Sequence, residues 1–180
     1  MKIKIRKFIP NDVYGIREVQ KVTWLKTYPS RKEGITIEDI KKKFEIDKTS
    51  EGKKKIEERK KKYNDRNIGI WVAETENKII GFCMAIKEEE CNRVGAIYVL
   101  PIYQGKGLGQ QLIEKAFGWL GNKKDILINV ARYNKQAINF YKKFGFIETG
   151  KGGSLDSAAK LPSGKSIPEI ELIKIAVRNI

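Results

Sequence analysis

The chain has 180 residues, 41% of them hydrophobic and 33% charged, a composition that fits one folded domain and excludes a disordered segment or a membrane span. Its 37 Lys and Arg against 22 Asp and Glu give a formal charge of +15, which favours anionic partners; the absence of histidine excludes His-based triads and His-ligated zinc. Cys83 and Cys91 match no zinc or redox spacing and read as plain thiols, so no metal is expected.

Residues 2–8 alternate Lys2, Lys4 and Arg6 with Ile3 and Ile5, the pattern of an edge or half-buried strand rather than the apolar centre of a signal peptide. A cytoplasmic location is therefore expected, with no membrane partner. Asn11 or Asp12 can cap a helix that carries Val13, Ile16 and Val19 inward. Further helices are predicted over 36–44 and 50–66; in the second of these, Lys53 to Lys55 and Arg59 to Lys62 surround little that is apolar beyond Ile56 and Tyr63. That stretch reads as a solvated face, and nucleic acid is disfavoured as a partner because no aromatic side chains interleave with the charges.

Residues 68–74 and 78–86 are β-rich runs joined at Thr75, Glu76 and Asn77, a hairpin signature, and 94–100 is a fourth strand ended by Pro101. From Gly109, Leu112, Ile113, Ala116, Phe117 and Leu120 recur at helical spacing as far as Gly121. A fifth strand follows over 126–130. Ala137, Phe140, Tyr141 and Phe144 fall on one face of a helix stopped at Gly145, and strands over 146–149 and 169–177 bracket a loop rich in Gly, Ser and Pro. One mixed α/β domain spanning 1–180 is predicted, without internal repeats.

The chemistry concentrates at Gln104, Gly105, Lys106, Gly107, Leu108 and Gly109, between the fourth strand and an amphipathic helix. Glycine lacks a Cβ and tolerates positive φ, so phosphate oxygens can approach the backbone amides while the helix N-terminus adds partial positive charge. The run is too short for a Walker loop, and its Gly-x-Gly-x-Gly spacing is not a dinucleotide fingerprint. A pyrophosphate is the expected ligand.

Gln104-x-x-Gly107-x-Gly109, after Ile97-Tyr98-Val99-Leu100-Pro101, resembles the Gln/Arg-x-x-Gly-x-Gly/Ala acetyl-CoA motif of the GNAT superfamily of N-acetyltransferases. Asn134, Ala137, Ile138, Phe140, Tyr141, Phe144, Gly145 and Phe146 are similar to a second, downstream signature of that family. The resemblance implies a GNAT-like fold: a largely antiparallel mixed sheet of about seven strands with helices on both faces, a bulged fourth strand, and a V-shaped splay between strands four and five. It implies acetyl-CoA as co-substrate, bound by the core at 94–150, with its pyrophosphate on the amides of Gln104 to Gly109. Pantetheine would lie along Ile97, Tyr98 and Val99, where a backbone amide near Tyr98 or Val99 would stabilise the oxyanion, and Asn134 would bind the pantetheine arm. Tyr141 matches the tyrosine that stands near the cofactor sulfur and can donate a proton to the leaving thiolate; a plain packing role is its alternative. Many relatives carry a Glu early in the fourth strand as base, where Arg93 stands here, so that role is not transferred.

The helices at 12–66 fall where the family builds its variable acceptor side. Trp24, Thr27 and Tyr28 resemble the Trp-x-x-Thr-Tyr region of bacterial polyamine acetyltransferases, as does the ending around Pro168-Glu169-Ile170-Glu171. Trp24 and Tyr28 are thus the candidate substrate-binding residues, Glu74, Glu88, Glu90 and Glu171 the candidate carboxylates, and 51–66 a candidate lid. The expected acceptor is the primary amine of a small molecule, a polyamine being favoured. The alternatives are a protein N-terminus or lysine, and a non-catalytic CoA-binding or nucleic-acid-binding module; a homodimer is left open.

Overall fold

The computed structural model describes residues 2–152 and 159–177. Its strands are β1 (Lys4–Lys7), β2 (Ile68–Thr75), β3 (Lys78–Ile86), β4 (Asn92–Val99), β5 (Ile126–Ala131), β6 (Ile147–Gly152) and β7 (Glu169–Lys174). Its helices are α1 (Asp12–Thr27), α2 (Ile37–Glu45), α3 (Ser50–Tyr63), α4 (Leu108–Leu120) and α5 (Lys135–Lys142). The strands form one sheet in the order β1-β2-β3-β4-β5-β7-β6, with every neighbouring pair antiparallel except β4 and β5.

Alternate residues of the central strands go to opposite faces, and both faces are covered, which is why β2 reads as a nearly continuous apolar run. Trp71 and Ala73 face α4 in a cluster with Leu112, Ile113 and Ala116, which also takes in Ile138 and Tyr141 of α5. Ile70 and Val72 face Ile16 and Val19 of α1. The helices therefore lie on both faces, as expected.

The hairpin between β2 and β3 turns on Glu76 (φ 49°) and Asn77 (φ 60°), both left-handed, matching the twist of the flanking strands. The predicted cap of α1 is corrected. Asn11 makes no side-chain capping bond, and Asp12 instead binds the Arg6 guanidinium at 2.6 and 2.9 Å and accepts the Ile9 amide at 2.8 Å. The Arg6 guanidinium on β1 and the Ile9 amide thus hold that carboxylate, so it does not cap the amides of its own helix. By contrast α2 starts on a complete capping box between Thr36 and Asp39.

Helix α3 ends at Tyr63, three residues short of the expected boundary, and packs on α1 and the start of β2, with Tyr63 edge-on to Phe8 at 5.6 Å. It does not lie over the opening between β4 and β5, so the expected lid is not formed by this segment. The last strand stops at Lys174, and part of the predicted Gly, Ser and Pro-rich loop, 153–158, lies outside the described residues. Among the described residues no helix is long and apolar enough to cross a membrane.

Two features of β4 position the site. Ala96 pairs with Met84 and Val94 with Ala85, which leaves Gly95 as an extra residue, a bulge that re-aims the strand beyond it. Pairing with β5 covers only Asn92 with Ile126 and Arg93 with Leu127, after which the two strands diverge.

Candidate active site

Past Leu100 the chain makes a tight turn over Pro101–Tyr103 and enters α4 at Leu108. Gly105 (φ 75°) and Gly107 (φ 76°) are left-handed, and a Cβ at either would meet open space, so backbone conformation rather than crowding requires glycine. No acceptor among the described residues reaches the amides of 105–110, which gather at the N-terminus of α4. Gln104 turns back, its Nε2 donating to the Val99 carbonyl at 2.8 Å, and so fixes the loop to the strand end. Lys106 is exposed with its ammonium 5.7 Å from the Tyr103 ring centroid. The Leu108 side chain is only 3% exposed and belongs to the core, which leaves its amide as the part directed to a ligand.

On the strand, Ile97, Tyr98 and Val99 pair with Cys83, Phe82 and Gly81 of β3, so one edge of β4 is bonded while the edge towards β5 is unpaired beyond Arg93. Across the opening, Asn134 caps α5, its Oδ1 accepting the Ala137 amide at 3.1 Å, which leaves Nδ2 as its donor. Tyr141 is 5% exposed between Phe140 and Phe146, at centroid distances of 5.4 and 5.7 Å. Burial first, then the neighbouring Cys83 and Tyr98, push its phenol well above the ordinary value of 10. Burial likewise raises the Cys83 thiol, which makes it inert.

The opposite face holds Trp24 and Tyr28. Trp24 is 6% exposed and edge-on to Tyr28 at 4.8 Å and Phe44 at 5.7 Å. The Tyr28 and Tyr98 hydroxyls share a hydrogen bond at 3.0 Å, and the Tyr133 hydroxyl donates to the Tyr28 carbonyl at 2.8 Å. Tyr133 was not singled out from sequence; its phenol is pushed up to about 12 by burial and then by Glu33 and Glu169.

A wall forms where Ala159, Leu161 and Ile167 pack on Trp24, Ile35, Ile40 and Phe44. Lys43 Nζ ties it to α2 by donating to the Lys160 carbonyl at 2.6 Å, and Lys165 Nζ by reaching the Gly34 carbonyl at 2.7 Å and Asp39 at 3.0 Å.

Of the four carboxylates expected near an amine, three are elsewhere. Glu74 is bound to Arg6 at 2.6 Å, Glu88 faces Arg93 at 3.5 Å, and Glu90 is exposed in a turn. Glu171 is on β7, opposite Asn129 of β5, and Glu169 joins it opposite Ala131. Glu169 is a carboxylate the sequence reading missed, although the alternation of Glu169 and Glu171 with Ile170 and Leu172 announces a shared strand face. Arg93 lies at the paired end of β4, engaged with Glu88. A cavity of about 600 Å³ between α1 and α3, lined by Tyr14, Arg17, Asp47 and Lys53 among others, shares only Phe44 with this acceptor-side cluster. Among the described residues no group of three or more His, Cys, Asp or Glu is placed to hold a metal.

An unpaired strand edge that runs into a cradle of amides is the arrangement that the comparisons with known proteins bear on. Residues 66–148 match the family model of the acetyltransferase (GNAT) domain. Over 105 residues the chain is 33% identical to the peptidyl-lysine N-acetyltransferase YjaB of Salmonella typhimurium, covering 58% of this chain and 63% of that protein. Over 83 residues it is 34% identical to YjaB of Escherichia coli, covering 46% and 52%. The matched stretches thus span less than two thirds of these relatives' own lengths. In structure it is similar to the PaiA N-acetyltransferase of Thermoplasma acidophilum in complex with coenzyme A (TM-score 0.70, 24% identity, 97% of this chain and 99% of that one). It is also similar to a GNAT-family acetyltransferase of Streptococcus pneumoniae (TM-score 0.67, 22% identity, 96% and 99%). The fold is that of the GNAT acetyltransferases.

Proposed function

We propose that the protein transfers the acetyl group of acetyl-CoA to the primary amine of a small molecule, with a polyamine as the favoured acceptor. The observation that carries this reading is the early end of β4–β5 pairing beside the unpaired amides of 105–110. Those amides, with the N-terminus of α4, take the CoA pyrophosphate. Pantetheine adds as a strand to the free edge of β4 along Ile97, Tyr98 and Val99, with Asn134 Nδ2 donating to its amides from the other side. Trp24 and Tyr28 wall the acceptor side, and the excess of positive charge favours the cofactor's phosphates.

The neutral amine attacks the thioester carbonyl, an amide near Tyr98 or Val99 holds the oxyanion, and the carbon–sulfur bond breaks as the thiolate leaves. Tyr141 donates a hydrogen bond to that sulfur. An ordinary thiol has a pKa of about 8.5, below that of the buried phenol, so Tyr141 keeps its proton and steadies the thiolate by hydrogen bonding, while the attacking nitrogen releases its proton to solvent as the amide forms. With Arg93 engaged by Glu88, no base is assigned at the start of β4; the acceptor reacts through its minor neutral fraction, and positioning supplies much of the rate.

Release of CoA thiol, measured with spermidine, simple monoamines and a lysine peptide, tests this. Turnover highest with the small amines is the expected result; tight acetyl-CoA binding without turnover on any amine sinks the transferase reading. The name of the YjaB relatives favours peptidyl lysine as a second reading. Against it stands the wall at 159–168, tied to α2 by Lys43 and Lys165, which narrows the acceptor side.

A further inference from the structure

The cavity of about 600 Å³ between α1 and α3 is closed on another side by the turn Ile46–Lys48, and the acetyl transfer proposed above makes no use of it. Its volume is that of a small-molecule site. Buried Phe44 and Ile56 give it an apolar floor, around which stand five cationic side chains against three carboxylates, an excess of two positive charges. Each carboxylate already has a cation: Asp47 has Arg17 at 2.7 Å, Glu18 has Lys21 at 3.7 Å, and Glu57 has Lys60, from outside the cavity, at 2.6 Å. Lys48, Lys53 and Lys54 make no ion pair among the described residues, and all three line the cavity.

The floor adds to this imbalance. The Arg17 side chain, 12% exposed, donates from Nε to Asp47 Oδ2 at 2.8 Å and lies 4.6 Å from the Phe44 ring centroid. Arg59 comes only within 3.9 Å of the other oxygen of that carboxylate, and its Nη1 is buried without a hydrogen-bond partner. Two guanidiniums thus share one carboxylate. In agreement, burial and then the charge of Arg59 oppose the charged form of Arg17 and lower its pKa. An anion in the cavity relieves this crowding of positive charge, whereas a polyamine meets repulsion there.

We propose that this cavity binds a small organic phosphate monoester, its apolar body on Phe44 and Ile56 and its phosphate on the ammonium groups of Lys48, Lys53 and Lys54. A phosphate monoester carries about 1.5 to 2 negative charges at neutral pH and offers several acceptor oxygens, which answers both the excess charge and the unmatched lysines. A carboxylate brings a single charge and leaves part of the excess in place. Inorganic phosphate has the charge but no body to cover the floor, so the apolar contact is what sets the monoester apart. The site is separate from the glycine loop at 105–109, and its occupation does not require acetyl-CoA.

The test is calorimetric titration of phenyl phosphate and of inorganic phosphate into the full chain, as wild type, as the double variant Lys53→Gln and Lys54→Gln, and as Gly107→Glu. Both lysines are exposed, and thermal unfolding checks that the double variant remains folded. Phenyl phosphate is expected to bind about tenfold or more tightly than inorganic phosphate, from burial of its ring. The double variant is expected to weaken it about tenfold or more through loss of two charged partners. Gly107→Glu, altered only at the glycine loop, is expected to bind it as the wild type does. Equal affinity for the two phosphates, or unchanged binding in the double variant, overturns the site. Loss of binding in Gly107→Glu places the phosphate at the glycine loop instead and overturns it too. A single-stranded oligonucleotide that displaces phenyl phosphate from the wild type and is itself lost in the double variant assigns these lysines to nucleic acid and likewise overturns it. Because no step of the test involves turnover, failure of the transferase reading leaves these outcomes as they are.

Discussion

Gly107 and Tyr141 answer to different constraints, and substitutions separate them. At Gly107 a side chain has room but not the backbone: a non-glycine residue held left-handed costs about 1–2 kcal/mol, and a carboxylate there opposes the pyrophosphate. Gly107→Glu is expected to abolish measurable acetyl-CoA binding by calorimetry while the circular dichroism spectrum persists; unchanged affinity would refute the placement of the pyrophosphate. Tyr141→Phe keeps the ring in its aromatic cluster and removes only the donor, so kcat is expected to fall about 10²-fold with the acetyl-CoA KM nearly unchanged. A kcat equal to wild type assigns Tyr141 to packing alone. Both residues were legible in the sequence because their patterns are local. Glu169 was not legible as a site carboxylate, since only the pairing of β7 with β5 brings it beside Ala131, across an interval of nearly forty residues in which α5 and β6 intervene.

Elements followed the same division between local and distant causes. The hairpin at Glu76 and Asn77 and the apolar stripe of α4 are short-range and legible in the sequence, whereas the capping box of Thr36 and Asp39 emerges only from the structure. The cap of α1 was misread because Arg6, on another element, claims Asp12, and the bulge at Gly95 exists only in the pairing with β3. The charged helix α3 depends on one close approach that composition does not reveal: a Cβ at Gly52 would stand 1.8 Å from the Ile46 carbonyl oxygen. Gly52→Ala is therefore expected to push α3 away from the preceding turn, lowering stability by about 1–3 kcal/mol in urea unfolding. Because α3 lies away from the diverging strands, the affinity for acetyl-CoA should be retained; a fall in that affinity matching the loss of stability would place α3 at the site after all.

For the whole molecule, charge and protonation define the working range. Tyr28, Tyr98 and Tyr141 all have raised phenol pKa values, with burial the first cause in each. For an acid whose folded pKa lies above its unfolded value, the stability contribution is complete below about 10 and is lost as pH rises further. The rate is accordingly expected to climb from neutral pH as the acceptor amine deprotonates, with no loss of fold or descending limb before about pH 10. A descending limb near pH 8 would show that a group other than these phenols controls the site.

The short β4–β5 contact has a mechanical consequence. Within the sheet, β1 to β4 and β5 to β7 are joined by a seam two residue pairs long, at Asn92–Ile126 and Arg93–Leu127. In the proposed binding mode, a pantetheine arm bonded to both lips would act as a rivet across that seam and stiffen it. Hydrogen exchange should report this directly, with the amides of 96–99 and 129–131 slowed by acetyl-CoA far more than those of β1 and β2. Uniform slowing throughout the sheet would instead mean that its two parts already move as one.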